Sequence, residues 1–193
     1  MRWFSRERGG RFVHLLVRSQ SIQVSCMLRR NNRRSTPTMH HGPGLIGVLG
    51  RSPAALAGYL GLHQGLAQGR LSDIERCLVA LMVAQRSGSA YCLSVQTRLA
   101  RKAGLTNEQV LTARDGCAGS ERHVALLFLA GKLVVNRGEL GEADLAAVRQ
   151  AGLADIEIME VIGHVALHLT AASVSRAAGL KLDFPPAPPL PAW

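Results

Sequence analysis

The sequence predicts an all-α fold, a bundle of about seven helices, and three observations carry that expectation. Helix-capping residues stand directly before apolar-periodic stretches, at Ser52, Ser72, Ser89 and Thr106. Glycines close most of those stretches, at Gly69, Gly104, Gly138, Gly152 and Gly179. No segment alternates apolar and polar residues over the length of a strand. The chain has 193 residues, 47% of them hydrophobic, which is enough for one domain with an aliphatic core. Both tryptophans, Trp3 and Trp193, stand at the extreme ends, so that core contains no tryptophan.

Taken in order, the first helix starts at Ser52-Pro53, a cap followed by proline at the first helical position, and runs to Gly69. Ser72 with Glu75 is a capping-box pattern for the second helix, which explains Glu75 by capping and not by catalysis. Leu78, Leu81, Met82 and Gln85 continue that helix at one-face spacing. The third runs from Ser89 to about Lys102, and Thr106 with Gln109 opens a short fourth. The fifth spans roughly Glu121 to Arg137, the sixth Glu142 to Gln150, and the seventh about Asp155 to Ala178. The fifth and seventh are apolar over more than one face, so they are expected to be covered on two sides, one of them by a partner subunit. Pro185 to Trp193 cannot be helical and is expected to extend as a solvated or surface-draped polyproline tail.

The formal charge of +10 suggests nucleic acid until it is divided along the chain. Residues 1–41 carry nine arginines against Glu7 alone, and the rest of the chain is close to neutral. Any binding to a polyanion therefore belongs to a basic extension, residues 1–42, and not to the folded body. That extension fits a disordered arm, an organelle transit segment, or translated sequence upstream of a start at Met39. Its apolar run from Phe12 to Val17 is too short to span a membrane. Four cysteines without a spaced disulfide framework point to a reducing, cytoplasmic setting.

The chemistry concentrates in RSGSAYCLSVQT, Arg86 to Thr97. Gly88 suits a left-handed break between two helices, and Ser89 then occupies the N-cap. Cys92 falls in the first turn, where unpaired backbone N–H groups and the positive end of the helix dipole favour a thiolate, with Arg86 close in sequence. The alternative for Cys92 is a small buried hydrophobe. Glu160, His164 and His168 recur every fourth residue and so share one helical stripe, as hydrogen-bonded histidines, a proton relay or half a metal site. No third ligand completes a metal set, and no phosphate-binding or nucleotide-binding glycine loop is present. Neither a metal nor a cofactor is expected.

These residues, together with SPAALAGYLGLHQGL, ARKAGLTNEQV, FLAGKLVVNRGEL and DLAAVRQAGLADIEIMEVIGHVAL, make residues 43–184 similar to the alkylhydroperoxidase D-like and carboxymuconolactone decarboxylase superfamily. Its peroxidase members carry a glutamate, then C-x-x-C, then a histidine four residues on. Here Cys77 stands for the glutamate, Ser89 and Cys92 for the cysteine pair, and Gln96 for the histidine. The resemblance implies that Cys92 attacks peroxide, with the resolving thiol and both proton-transfer groups replaced. Ser89 cannot form a disulfide, and Gln96 cannot act as a base near neutral pH. Cys77, expected to face the same pocket, is either a relocated resolving thiol or an inert buried cysteine.

The resemblance also implies a homo-oligomer, a trimer or hexamer. The functional expectation is a one-cysteine thiol antioxidant with reduced peroxidase turnover. A non-catalytic oligomer and a carboxymuconolactone-type decarboxylase that does not use cysteine remain the alternatives.

Overall fold

A computed structural model describes residues 44–182 and 184–190, and every described element is helical. Eight helices follow one another: α1 Leu45–Leu49, α2 Pro53–Ala67, α3 Asp73–Arg86, α4 Ala90–Lys102, α5 Asn107–Asp115, α6 Glu121–Val135, α7 Glu142–Gln150 and α8 Asp155–Ala177. The sequence signals anticipate α2 to α8. The five-residue α1 is additional: Gly44 at its N-cap makes no side-chain cap hydrogen bond, so nothing in LIGVL announces it. The basic extension lies outside the described residues.

Helix α3 is the hub, packing against α4, α5, α6 and α8. Leu78 to Ala84 are buried without interruption, because neighbours surround this helix and leave it no polar face. The core continues through Leu126, Leu127 and Leu129 of α6 and Val161 and Val165 of α8. Burying each such aliphatic side chain stabilises the fold by roughly 1.5–3 kcal/mol.

The Ser72–Glu75 capping box forms as expected, and Glu75 does more than cap. Its carboxylate accepts from Ser72 N–H at 2.8 Å and from Arg122 Nε at 2.7 Å. Arg122 also holds Glu157 at 2.6 Å, so one guanidinium ties the starts of α3 and α8 to α6. Burial pushes the Glu75 carboxyl up, but the Ser72 and Arg122 hydrogen bonds outweigh it and hold it below the usual carboxylate range.

Helix α8 is long and apolar enough by composition to cross a membrane, yet it packs on α1, α2, α3, α4 and α6 as a core helix. Ile156 and Met159 near its start, and Val124, Phe128 and Val135 on α6, remain exposed. Helix α2 has no buried residue at all. The proline-rich tail lies against the body: Ala187 N–H donates to Ser94 Oγ at 2.9 Å, and buried Arg114 donates to the Pro188 carbonyl at 2.7 Å.

Candidate functional site

Gly88 between α3 and α4 has φ 68°, the left-handed conformation expected of it. Ser89 caps α4 by accepting from Cys92 N–H at 3.2 Å, which fixes the thiol in the first turn. The chain then brings in a residue that no local pattern announces. Ser175, about three turns along α8 from His164, is buried and lies 2.9 Å from Ser89 Oγ and 3.6 Å from Cys92 Sγ. Ser175 Oγ also donates to the Ala172 carbonyl at 2.9 Å. One hydroxyl has one proton, so in this arrangement Ser175 accepts from its other neighbours. Turning that proton from the Ala172 carbonyl towards sulfur converts Ser175 into a donor for a thiolate.

Cys92 is 6% exposed and packs among Ala84, Ala171 and Ala172. It also borders a cavity of about 1050 Å³ lying between α1, α2, α3, α4 and α8. Cys77 and Gln96 line the same cavity, whereas Ser89 is not among its lining residues. Three of the four positions singled out from the sequence thus share one space. Both thiols are free. Burial pushes the Cys77 thiol up, Asp73 adds to this and Arg76 opposes it, so Cys77 stays protonated at neutral pH. Arg86 does not serve as the cation beside Cys92. Its guanidinium turns towards Gly131 of α6 and is absent from the cavity lining.

The stripe on α8 divides. Glu160 leaves it and accepts from Arg70 N–H at 2.9 and 2.8 Å and from Leu71 N–H at 3.1 Å, closing the α2–α3 turn. The expected three-residue relay or half metal site is therefore corrected to two histidines. Among the described residues no group of three or more His, Cys, Asp and Glu side chains is placed to hold a metal ion. His164 and His168 both line the cavity with rings stacked 6.2 Å apart. Burial, with Arg76 and His63 adding to it, holds His164 at about 4, and burial with His164 and His63 holds His168 at about 3. Both are neutral at pH 7 and unsuited to donate a proton as imidazolium. Sequence reading overlooked His63 and Tyr59, which reach the cavity from α2. Burial raises the Tyr59 phenol, and the charge of Cys92 raises it further.

The family model of the carboxymuconolactone decarboxylase family matches residues 53–128, which run from α2 into α6 across the whole Cys92 segment. Over that stretch the chain is similar to the carboxymuconolactone decarboxylase family. Solved structures share the helical fold. An uncharacterized peroxidase-related protein from Silicibacter sp. TM1040 superposes with a TM-score of 0.65 at 18% identity, covering 71% of this chain and 74% of that one. The debrominase Bmp8 in complex with 2,3,4-tribromopyrrole gives 0.65 at 15% identity, covering 73% and 77%. A protein of unknown function from Agrobacterium tumefaciens, ATU0492, proposed as the antioxidant defence protein AhpD, gives 0.60 at 18% identity, covering 70% and 94%. At these identities the likeness establishes the fold. No curated protein matches the chain.

Proposed function

We propose that this protein is a one-cysteine thiol antioxidant whose turnover is reduced relative to a dithiol peroxidase. The observation that carries the proposal is Cys92 in the first turn of α4, beside Ser175 and on the wall of a cavity that Cys77 also lines. The Cys92 thiolate attacks the terminal oxygen of a hydroperoxide. The O–O bond breaks, sulfur is oxidised to sulfenic acid, and the alcohol leaves after taking one proton from solvent. A low-molecular-weight thiol then condenses with the sulfenic acid, releasing water and leaving a mixed disulfide. A second such thiol restores Cys92 and carries off the disulfide. With Ser89 in place of a resolving cysteine, this return is bimolecular, which is the reason for low turnover. The tribromopyrrole bound by the debrominase of this fold is a small heteroaromatic, in keeping with a cavity that admits small organic molecules.

The test is a pH titration of thiol alkylation, with mass spectrometry after stoichiometric peroxide, on the native protein and on Cys92→Ser and Cys77→Ser. The proposal expects a sulfenic adduct at Cys92 and none in Cys92→Ser. A Cys77–Cys92 disulfide would show instead a relocated two-cysteine enzyme. A Cys92 that alkylates no faster than a free thiol and ignores peroxide would identify a non-catalytic scaffold.

We also propose that the chain assembles with copies of itself, as a trimer or hexamer. In support, α2 buries none of its residues although Leu56, Leu60, Leu62 and Leu66 lie along it, and Phe128, Ile156 and Met159 are exposed on α6 and α8. Light scattering at micromolar concentration should give a multiple of the 20.7 kDa chain mass, and a monomer would remove the proposal.

A further inference from the structure

His164 is 4% exposed, it lines the cavity, and its Nε2 has no hydrogen-bond partner. A polar atom left unpaired in a protein interior costs roughly 1–3 kcal/mol, so such atoms are rare unless something else satisfies them. The surroundings indicate what that partner is. Leu45, Ile46, Leu60, Leu99, Leu167 and Ala171 give the cavity a mostly aliphatic wall. Of the charged residues on its border, Asp73 and Arg76 pair with each other, and Arg76 donates as well to the Leu71 carbonyl. Lys102 stands exposed at the rim. Towards His164 the space therefore offers hydrocarbon, the His63 and His168 rings and the Tyr59 and Tyr91 hydroxyls, and its guanidinium, Arg76, is already engaged by Asp73. The volume, about 1050 Å³, is at the upper end of the range for a pocket that takes a small organic molecule.

We infer that the cavity binds a neutral, largely hydrocarbon small molecule carrying one hydroxyl, carbonyl or ring N–H, and that this group pairs with His164 Nε2. The inference deepens the thiol reading above and rests on it for any transformation of the ligand. Binding itself rests on the cavity and His164 alone. His164 is then a positioning residue: it turns the polar end of the ligand towards α8 and so sets which part of the molecule faces Cys92. Its role differs from that of Gln96, which lines the same cavity from α4.

The probes are 2-naphthol, 2-methylnaphthalene and 2-naphthoate, titrated into the full chain by fluorescence at pH 7.5 without peroxide, so that no redox step enters. Binding is expected for 2-naphthol, with 2-naphthoate at least tenfold weaker. His164→Phe keeps an aromatic ring of similar size and removes the nitrogen. It should weaken 2-naphthol about tenfold, the value of one hydrogen bond of about 1.4 kcal/mol, and leave 2-methylnaphthalene unchanged. Long-range ¹H–¹⁵N spectra of the native protein give a second reading: the His164 Nε2 resonance should move on adding 2-naphthol and stay in place with 2-methylnaphthalene. Equal or tighter binding of 2-naphthoate, an equal loss of both neutral probes in His164→Phe, or an unmoved Nε2 resonance each overturns the inference. Because thiol oxidation is read separately, by mass spectrometry on Cys92, failure of one proposal is distinguishable from failure of the other.

Discussion

Acidification from pH 7 to pH 5 should destabilise this protein in a window where its carboxylates are still charged. The two α8 histidines are responsible. An imidazole free in the unfolded chain titrates near 6.5, whereas the folded protein holds His164 at about 4 and His168 at about 3. A histidine depressed on folding contributes stability that is complete above the unfolded value and is lost as pH falls towards the folded one. Each group therefore costs about 1.4 kcal/mol per pH unit through most of that interval. At pH 5 His164 alone accounts for about 2 kcal/mol, and the pair for at most about 4 kcal/mol. The pair figure is an upper bound because part of the His168 depression is repulsion from a charged His164, absent while His164 is neutral. Around His164, Arg76 and His63 deepen the effect and Glu160 offsets part of it. Glu75 and Glu157 are held below the usual carboxylate range, so their contributions are lost only below about pH 4.3. The assay is urea unfolding at pH 7.5, 6.0 and 5.0 at fixed ionic strength, on the native protein, His164→Phe and His168→Phe. Each variant should flatten the slope between pH 6 and 5. A native protein equally stable at pH 7.5 and 5.0, or variants that keep the full slope, would refute the burial argument.

Other substitutions test single contacts. A Cβ on Gly69 would fall 2.5 Å from Glu160 Oε2, a carboxylate pinned by the Arg70 and Leu71 amides, so Gly69→Ala should cost about 2 kcal/mol in urea unfolding. Gly163→Ala meets only the tip of Leu66 at 2.8 Å, which can rotate, and should cost less than Gly69→Ala; the reverse order would contradict this account. Arg122→Met leaves Glu75 and Glu157 facing each other without their shared cation and should lower stability by about 2 kcal/mol, discounted for the partial exposure of Arg122, as calorimetry would show. Ser175→Ala should slow alkylation of Cys92 several-fold with little change in urea midpoint, since it removes a hydroxyl hydrogen-bonded to sulfur. Arg114→Leu releases the Pro188 carbonyl and should speed proteolytic trimming of the tail, with unchanged cleavage counting against the anchor.

Much of the helical architecture was legible because its signals are local. A serine cap, a Glu or Gln three residues on and a terminal glycine act within one or two turns, so α2 to α8 could be read from spacing alone. The same locality placed Cys92 in the first turn of α4 and explained Glu75 as a cap. Helix α1 was missed because it lacks a side-chain cap and is held by packing on α2 and α8.

The candidate site was legible only in part. Cys77, Cys92 and Gln96 were found because family spacing marks them, and their shared cavity follows from α3 and α4 lying side by side. Spacing also put Glu160 on a stripe with the two histidines, but a side chain with rotatable bonds takes the strongest partner within reach. Three backbone N–H contacts at the α2–α3 turn outcompeted the histidines. Ser175 and His63 carry no sequence signal, since each meets the site across a helix packing whose register no local pattern encodes. The sequence by itself determined which segments are helical and where the thiol sits on its helix, because short-range hydrogen bonding and chain geometry decide both. Only the tertiary structure decided which hydroxyl touches the thiol, which acid leaves the histidine stripe and which nitrogen stays unpaired, because those depend on distances between residues more than eighty positions apart.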